Sequence, residues 1–107
     1  MGPQERVIRE KLSSLLAPSY LEIVNESPSH GLPVEAEKHF RVVVVSEFFG
    51  GQSRVERHRH VHAILADELR DHVHALSVQA FTPAEWRARG GETHASPECA
   101  HKRTEEI

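Results

Sequence analysis

The chain has 107 residues, of which 38% are hydrophobic and 27% are charged, and its formal net charge is −3. These values are typical of a single soluble globular domain and argue against a disordered chain or a strongly basic nucleic-acid-binding protein. The single cysteine, Cys99, excludes an intramolecular disulfide and any all-cysteine metal site, and it favours a reducing compartment. The apolar run 42–45 is too short to span a bilayer, so no membrane association is predicted.

The first half of the chain predicts one helix and two strands. Apolar residues recur on one side of a helical wheel between 4 and 17, which predicts an amphipathic helix that ends before Pro18. The loosely alternating segment 20–26 predicts a half-buried strand, and the β-branched segment 39–46 predicts a second. Between them, 27–38 contains two prolines and a glycine. It predicts a loop whose unusual length suggests a function.

The second half predicts two more helices and a third strand. Ser53 and Glu56 form a capping box, which predicts a helix from 54 to about 69. The segment 73–80 predicts a strand, and because a helix connects it to the second strand, we expect these two strands to be parallel. The motif "TPAEW" at 82–86 predicts a short helix that begins with a threonine cap and a proline.

The order α-β-β-α-β-α predicts a two-layer α+β domain in which helices cover a three-stranded sheet. The predicted domain comprises residues 1–87. The segment 88–107 is rich in glycine, serine, threonine and charge without periodicity, and predicts a disordered tail. Within it, Cys99 lies near Lys102 and Arg103, which leaves a redox role open, although a solvated thiol without a role is the simpler interpretation.

Nine histidines is a high number for this length, and three of them lie in "RHRHVH" at 57–62. On a helical wheel His58 and His62 fall near the apolar stripe, so we expect both to be hydrogen-bonded and packed toward the sheet. Their i, i+4 spacing would suit a metal ion, but no third ligand follows at a suitable spacing. The stripe itself comprises Val55, Val61, Leu65 and Leu69. The predicted solvated face of the helix carries Arg57, Arg59 and His60.

Two other histidines lie near predicted strand ends. His30 is in the long loop and His74 is at the start of the third strand, so the two imidazoles could converge on one edge of the domain. His39, at the other end of the same loop, competes with His30 for this role. No such context distinguishes His72, His94 and His101.

Four blocks of the sequence carry a resemblance to a known family: "ES" at 26–27, "HFRVVVVSEFFG" at 39–50, "VERHRHVHAILADEL" at 55–69 and "VHALSVQAFTPAEW" at 73–86. Together they resemble the BolA family, over nearly all of residues 4–87. The loop histidine in "SPSHGLP" and the "TPAEW" ending are most similar to the animal mitochondrial BolA1-like branch. That resemblance implies an α-β-β-α-β fold similar to a type II KH domain, in agreement with the predicted order.

The resemblance implies a binding protein without enzymatic activity. BolA proteins form heterodimers with monothiol glutaredoxins, either around a bridging 2Fe-2S cluster or without one, in iron–sulfur cluster assembly and trafficking and in thiol redox homeostasis. The glutaredoxin would contribute a cysteine thiolate and its bound glutathione. The resemblance also implies the mitochondrial matrix, with the cytoplasm as the alternative.

The resemblance identifies candidate ligands as well. The histidine of the "V-H-A-L" block corresponds to His74, and the family's second ligand is a loop cysteine or histidine. The loop here has no cysteine, and His30 is the matching position, with His39 as the fallback. Imidazole ligands in place of thiolates raise the reduction potential of such a cluster, as in Rieske centres.

The main rival interpretation is a KH-like nucleic-acid-binding or transcriptional regulator. The fold and three arginines favour it, namely Arg54, Arg57 and Arg59. A KH domain, however, clamps nucleic acid with a G-x-x-G loop between two helices, whereas "GGQS" at 50–53 lies between a strand and a helix. With a net charge of −3, nucleic acid is therefore an unexpected partner. An enzyme is not expected either, because no P-loop, nucleophile elbow or HExxH motif occurs.

Overall fold

A computed structural model describes residues 2–91 of the chain. The sheet has the order β1-β2-β3, in which β1 and β2 are antiparallel and β2 and β3 are parallel. The predicted α+β class and the parallel pairing are therefore confirmed. The helices are α1 (Pro3–Leu16), α2 (Arg54–Ile64), α3 (Ala66–Asp71) and α4 (Pro83–Ala88), and the strands are β1 (Tyr20–Asn25), β2 (His39–Val45) and β3 (Ala75–Phe81). None of the helices within 2–91 is long and apolar enough to cross a membrane.

Helices α1 and α2 cover one face of the sheet. In register, Ile23 of β1 lies beside Val42 of β2, and Val42 lies beside Val78 of β3, so these side chains share that face. All three are buried. They belong to one apolar cluster that also contains Ile8, Leu12, Leu16, Phe40, Val44, Phe49, Val61, Leu65 and Val73.

Helix α4 covers one end of the opposite face. The ring of Trp86 stacks on Tyr20 with ring centroids 4.9 Å apart, and it contacts Phe81 at 5.4 Å. Tyr20 and Phe81 are the residues that flank Val45 in register. Val45 is fully buried, although it points away from α1 and α2. The C-terminal ends of β2 and β3 are therefore packed on both faces.

The predicted single helix from 54 to about 69 is divided at Leu65, whose backbone (φ −104°, ψ 22°) departs from helical geometry. The break allows Leu65 to enter the core, where it is 1% exposed. It also brings Glu68 of α3 to Lys11 of α1, with Nζ and Oε2 2.8 Å apart. Tertiary contacts therefore end a helix that its own sequence pattern would continue.

The inward face of α2 differs from the prediction. Arg57 was expected in solvent but is 9% exposed, and it donates to the carbonyl oxygens of Gln52 (3.1 Å) and Ala80 (3.0 Å). Its guanidinium also binds both carboxylate oxygens of Glu85 in α4, at 2.6 and 3.0 Å. Val55, predicted in the apolar stripe, is instead 59% exposed. The side chains that point inward are Arg57, Val61 and Leu65, at helical spacing.

His58 and His62 lie beside this inward row of α2, and His58 lines a cleft that strand β3 also borders. Both are half-buried, and their rings are nearly parallel with centroids 6.2 Å apart. His62 Nδ1 lies 2.8 Å from the His58 carbonyl oxygen, so the expected hydrogen bonding is present for His62. His60 is exposed as predicted, and its Nδ1 lies 2.7 Å from Gln52 Oε1.

Both predicted capping boxes are present. The Ser53 hydroxyl accepts from the Glu56 N–H at 3.1 Å, and Glu56 Oε1 accepts from the Ser53 N–H at 2.8 Å. The same exchange joins Thr82 and Glu85 at 3.2 and 2.9 Å. Each box satisfies two helix N–H groups that would otherwise lack a partner.

The ion pair of Arg57 with Glu85 predicts a loss of stability in acid. The hydrogen bond from Arg57 is the main cause that holds the pKa of Glu85 at about 2, below its ordinary value of 4.5. A depressed folded-state pKa stabilises the fold above about pH 4.5, and this contribution is lost as the pH falls toward 2. Because the Glu85 side chain is 46% exposed, we expect about 1 kcal/mol after solvent screening.

Urea unfolding of the wild type and of Glu85→Gln across that pH range would measure this contribution. The variant should lose less stability on acidification than the wild type. Glu56→Gln is the matched control, because it alters the other capping box but no arginine pair. Parallel pH profiles for the wild type and Glu85→Gln would contradict the assignment.

Candidate functional site

The segment between β1 and β2 is ordered by Ser27, which is fully buried. Its hydroxyl accepts from the N–H groups of Lys38 (2.8 Å) and His39 (3.3 Å). Its own N–H donates to the Asn25 side-chain oxygen at 3.0 Å, and the Asn25 amide in turn donates to the Val34 carbonyl at 2.8 Å. The predicted long loop is therefore present, and hydrogen bonds of Ser27 connect its two ends. It contains two single turns of 3-10 helix, Ser27–His30 and Val34–Ala36.

His74 lies directly before β3, whereas the sequence predicted it inside the strand, at its start. Its N–H donates to the Lys38 carbonyl at 2.8 Å, and the N–H of Ala75 donates to the same oxygen at 3.1 Å. The backbone of His74 is thus fixed to the residue that precedes β2. Its side chain is exposed.

The structure brings His30, His39 and His74 together at one edge of the domain. The rings of His30 and His39 stack with centroids 3.9 Å apart and an interplanar angle of 14°. The ring of His74 meets His39 edge-on at 6.4 Å. His39 therefore lies between the other two, and all three predicted candidates share one surface. Their role as ligands stays a prediction.

The surroundings of His39 favour its neutral form. Partial burial, followed by the nearby imidazoles of His30 and His74, lowers the pKa of His39 below its ordinary value, whereas Glu26 opposes this shift. A neutral imidazole has a nitrogen lone pair available for a metal. Within residues 2–91, no group of three histidine, cysteine or carboxylate side chains is arranged to hold a metal ion.

One buried residue of this region had no signal in the sequence. Glu37 is 5% exposed, and its carboxylate binds backbone N–H groups at the start of α1. Ser27 was visible only as part of the "ES" block. The predicted tail features lie largely outside the described residues, among them Cys99, His94 and His101.

A cationic cleft lies on another side of the domain, between the start of α2, strand β3 and helix α4. The guanidinium of Arg89 lies 4.8 Å from the ring centroid of Phe81. Arg57 also lines the cleft, but Glu85 neutralises its charge. The other basic side chains there are Arg54 and His58.

The chain matches the model of a family described as BolA-like protein over residues 12–85. The chain belongs to the BolA-like family. Human BolA-like protein 1 is 52% identical over 99 residues, which cover 92% of this chain and 72% of the human protein. A protein of Vibrio cholerae named DNA-binding transcriptional regulator BolA is 46% identical, over 87% of this chain and 88% of that protein.

The fold agrees with that of a solved BolA structure. The solution structure of BolA1 from Mus musculus superposes with a TM-score of 0.79 at 48% identity, and it covers 91% of this chain and 79% of that one. The family resemblance predicted from the motifs is thus confirmed. The names of these relatives describe BolA-like proteins or a regulator, not enzymes.

Proposed function

We propose that this BolA-like chain is a non-enzymatic partner of a monothiol glutaredoxin. The two proteins form a heterodimer that shares a bridging 2Fe-2S cluster and acts in iron–sulfur cluster assembly and trafficking and in thiol redox homeostasis. The observation that carries the proposal is the grouping of His30, His39 and His74 on one accessible edge.

The donor set fits this role. Neutral imidazoles ligate iron in Rieske-type clusters, where they raise the reduction potential relative to thiolates. Here His74 and one loop histidine would supply two nitrogen donors. The glutaredoxin cysteine and the glutathione bound to that partner would supply the thiolates. The lowered pKa of His39 favours the neutral form of that imidazole, which is the form that binds a metal.

Reconstitution tests the proposal directly. The purified chain mixed with a monothiol glutaredoxin, glutathione, iron and sulfide should yield a coloured heterodimer with one of each protein. Size-exclusion chromatography with visible absorption and circular dichroism would identify it. A glutaredoxin that keeps the spectrum of its own homodimer in the presence of this chain would contradict the proposal.

The two loop histidines should contribute unequally to the complex. His30 occupies the position of the family's loop ligand, so His30→Ala should alter the spectrum of the heterodimer more than His39→Ala does. The stacked rings mean that either substitution also disturbs the neighbouring imidazole. The comparison therefore uses the visible circular dichroism of both variants side by side. The reverse order would assign the loop role to His39.

We also infer the mitochondrial matrix as the site of action. Support comes from the similarity to animal BolA-like protein 1 and from a composition with a single cysteine, which suits a reducing compartment. Cell fractionation of the tagged full chain tests this inference, and an exclusively cytoplasmic signal would contradict it.

A second candidate function is nucleic-acid binding. Bacterial relatives are named DNA-binding transcriptional regulators, and the cleft beside β3 contains Arg54, His58 and Arg89. The net charge of −3 supplies little general attraction to phosphate. A salt-dependent mobility shift of labelled DNA by the isolated chain, lost in Arg54→Ala, would favour this candidate.

A further inference from the structure

Glu37 lies at the end of the loop between β1 and β2, and its side chain reaches the start of helix α1. Its Oε1 accepts from the N–H of Gln4 and its Oε2 from the N–H of Glu5, both at 3.1 Å. The first N–H groups of a helix have no partner within the helix, and Gly2 at the N-cap position has no side chain to provide one. The carboxylate therefore replaces the missing cap, with its negative charge at the positive end of the helix dipole.

The backbone of Glu37 is held in an unfavourable conformation. The residue is 5% exposed, and its φ of 48° and ψ of 47° lie in the left-handed region, which non-glycine residues rarely occupy. Such a conformation persists only where surrounding contacts maintain it. The two hydrogen bonds to α1 are contacts of this kind, so the helix and the loop end hold each other in place.

The next residue, Lys38, connects Glu37 to the histidines. The N–H of Lys38 donates to the Ser27 hydroxyl, and its carbonyl accepts from the N–H of His74 at 2.8 Å. His39 follows Lys38 directly in the chain. A displacement of the Glu37 backbone would therefore move His39 and loosen the attachment of His74.

We infer that Glu37 is a positioning residue for the histidine cluster: by capping α1 it fixes the end of the loop, and with it the spacing of His39 and His74. The inference deepens the proposed function and rests on it for its biological meaning. The geometric part concerns the free chain and can be measured without a cluster.

Gly2 offers an independent way to disturb the same contact. A β-carbon at this position would overlap the carboxylate of Glu37. The backbone of Gly2 (φ −84°, ψ 174°) is open to any residue, so alanine adds no backbone strain. Gly2→Ala therefore leaves the glutamate in the chain but obstructs the position that its carboxylate occupies.

The test compares two variants that disturb the contact with two that do not. Glu37→Gly removes the carboxylate while glycine accepts the left-handed backbone, so folding should be retained. Glu35→Gln is the control for it, because Glu35 is an exposed residue of the same loop. Gly50→Ala is the control for Gly2→Ala, because a β-carbon there meets only the Glu47 carbonyl oxygen, at 3.4 Å.

Two measurements are made on each variant. In the metal-free chain, NMR follows the ring-to-ring contact of His30 with His39 and the chemical shifts of the His74 imidazole. In the reconstituted heterodimer, visible absorption follows the rate at which a chelator removes the colour. Glu37→Gly and Gly2→Ala should weaken the ring contact and lose colour several-fold faster than the wild type, whereas both controls should match the wild type.

The outcomes separate this inference from the proposed function. Unchanged histidine signals and unchanged colour loss in both variants, with only a lower melting temperature, would reduce Glu37 to a helix cap and overturn the inference. Altered histidine signals together with a wild-type chain that forms no coloured heterodimer would support the positioning role and overturn the proposed function.

Discussion

His74→Ala should abolish the characteristic spectrum of the heterodimer, or return it to that of glutaredoxin alone. His74 is the proposed ligand from the "V-H-A-L" block, and its N–H is bound to the Lys38 carbonyl at 2.8 Å. Alanine removes the nitrogen donor but keeps the backbone N–H that makes this bond. The measurement is visible circular dichroism of the reconstituted mixture.

His72→Ala is the matched control for this substitution. His72 is an exposed histidine two residues earlier. Its backbone N–H donates to the Glu68 carbonyl at 2.9 Å and its backbone carbonyl accepts from the Lys38 ammonium at 3.1 Å, and alanine keeps both groups. Its variant should reproduce the wild-type spectrum. A wild-type spectrum from His74→Ala as well would remove His74 from the ligand set.

Arg57→Ala should cost about 3 kcal/mol of unfolding free energy, a large fraction of the stability of a small domain. The substitution leaves the carbonyls of Gln52 and Ala80 without their donor and releases the α4 carboxylate of Glu85. It also removes the guanidinium from the neighbourhood of the Phe49 ring, 5.9 Å away. Urea denaturation followed by circular dichroism measures the change.

Arg59→Ala serves as the comparison for Arg57→Ala. Arg59 is exposed on the same helix, so its loss should change stability by no more than about 0.5 kcal/mol. Equal and small effects of the two substitutions would mean that solvent replaces the buried contacts of Arg57 at little cost.

The sequence predicted those parts of the fold that depend on local patterns. The capping boxes at Ser53 and Thr82 appear as residue pairs three positions apart, and the valine run of β2 is β-branched throughout, so both could be identified without a partner. The inward face of α2 could not, because it is determined by Glu85, which lies 28 residues beyond Arg57. A helical wheel assigns an arginine to solvent unless its distant partner is known.

The candidate site was also predictable only where it depends on local patterns. The sequence indicates His30 and His74 because both lie near predicted strand ends, and the parallel pairing of β2 with β3 brings the starts of these two strands together. The position of His39 close to His74 depends on the register of β2 with β3, because His39 lies beside Ala75, the residue that follows His74. The role of Glu37 requires the tertiary contact with α1, for which no local pattern exists.

The contact of Trp86 with Tyr20 gives the domain an internal optical reporter. These are the only tryptophan and the only tyrosine of the chain, and their stacked rings allow excitation energy to pass from the phenol to the indole. Trp86 and Tyr20 lie at the Val45 end of β2. The cluster of His30, His39 and His74 lies at the His39 end, about 20 Å away along the strand. Intrinsic fluorescence will therefore report whether α4 is docked, separately from events at the histidine edge.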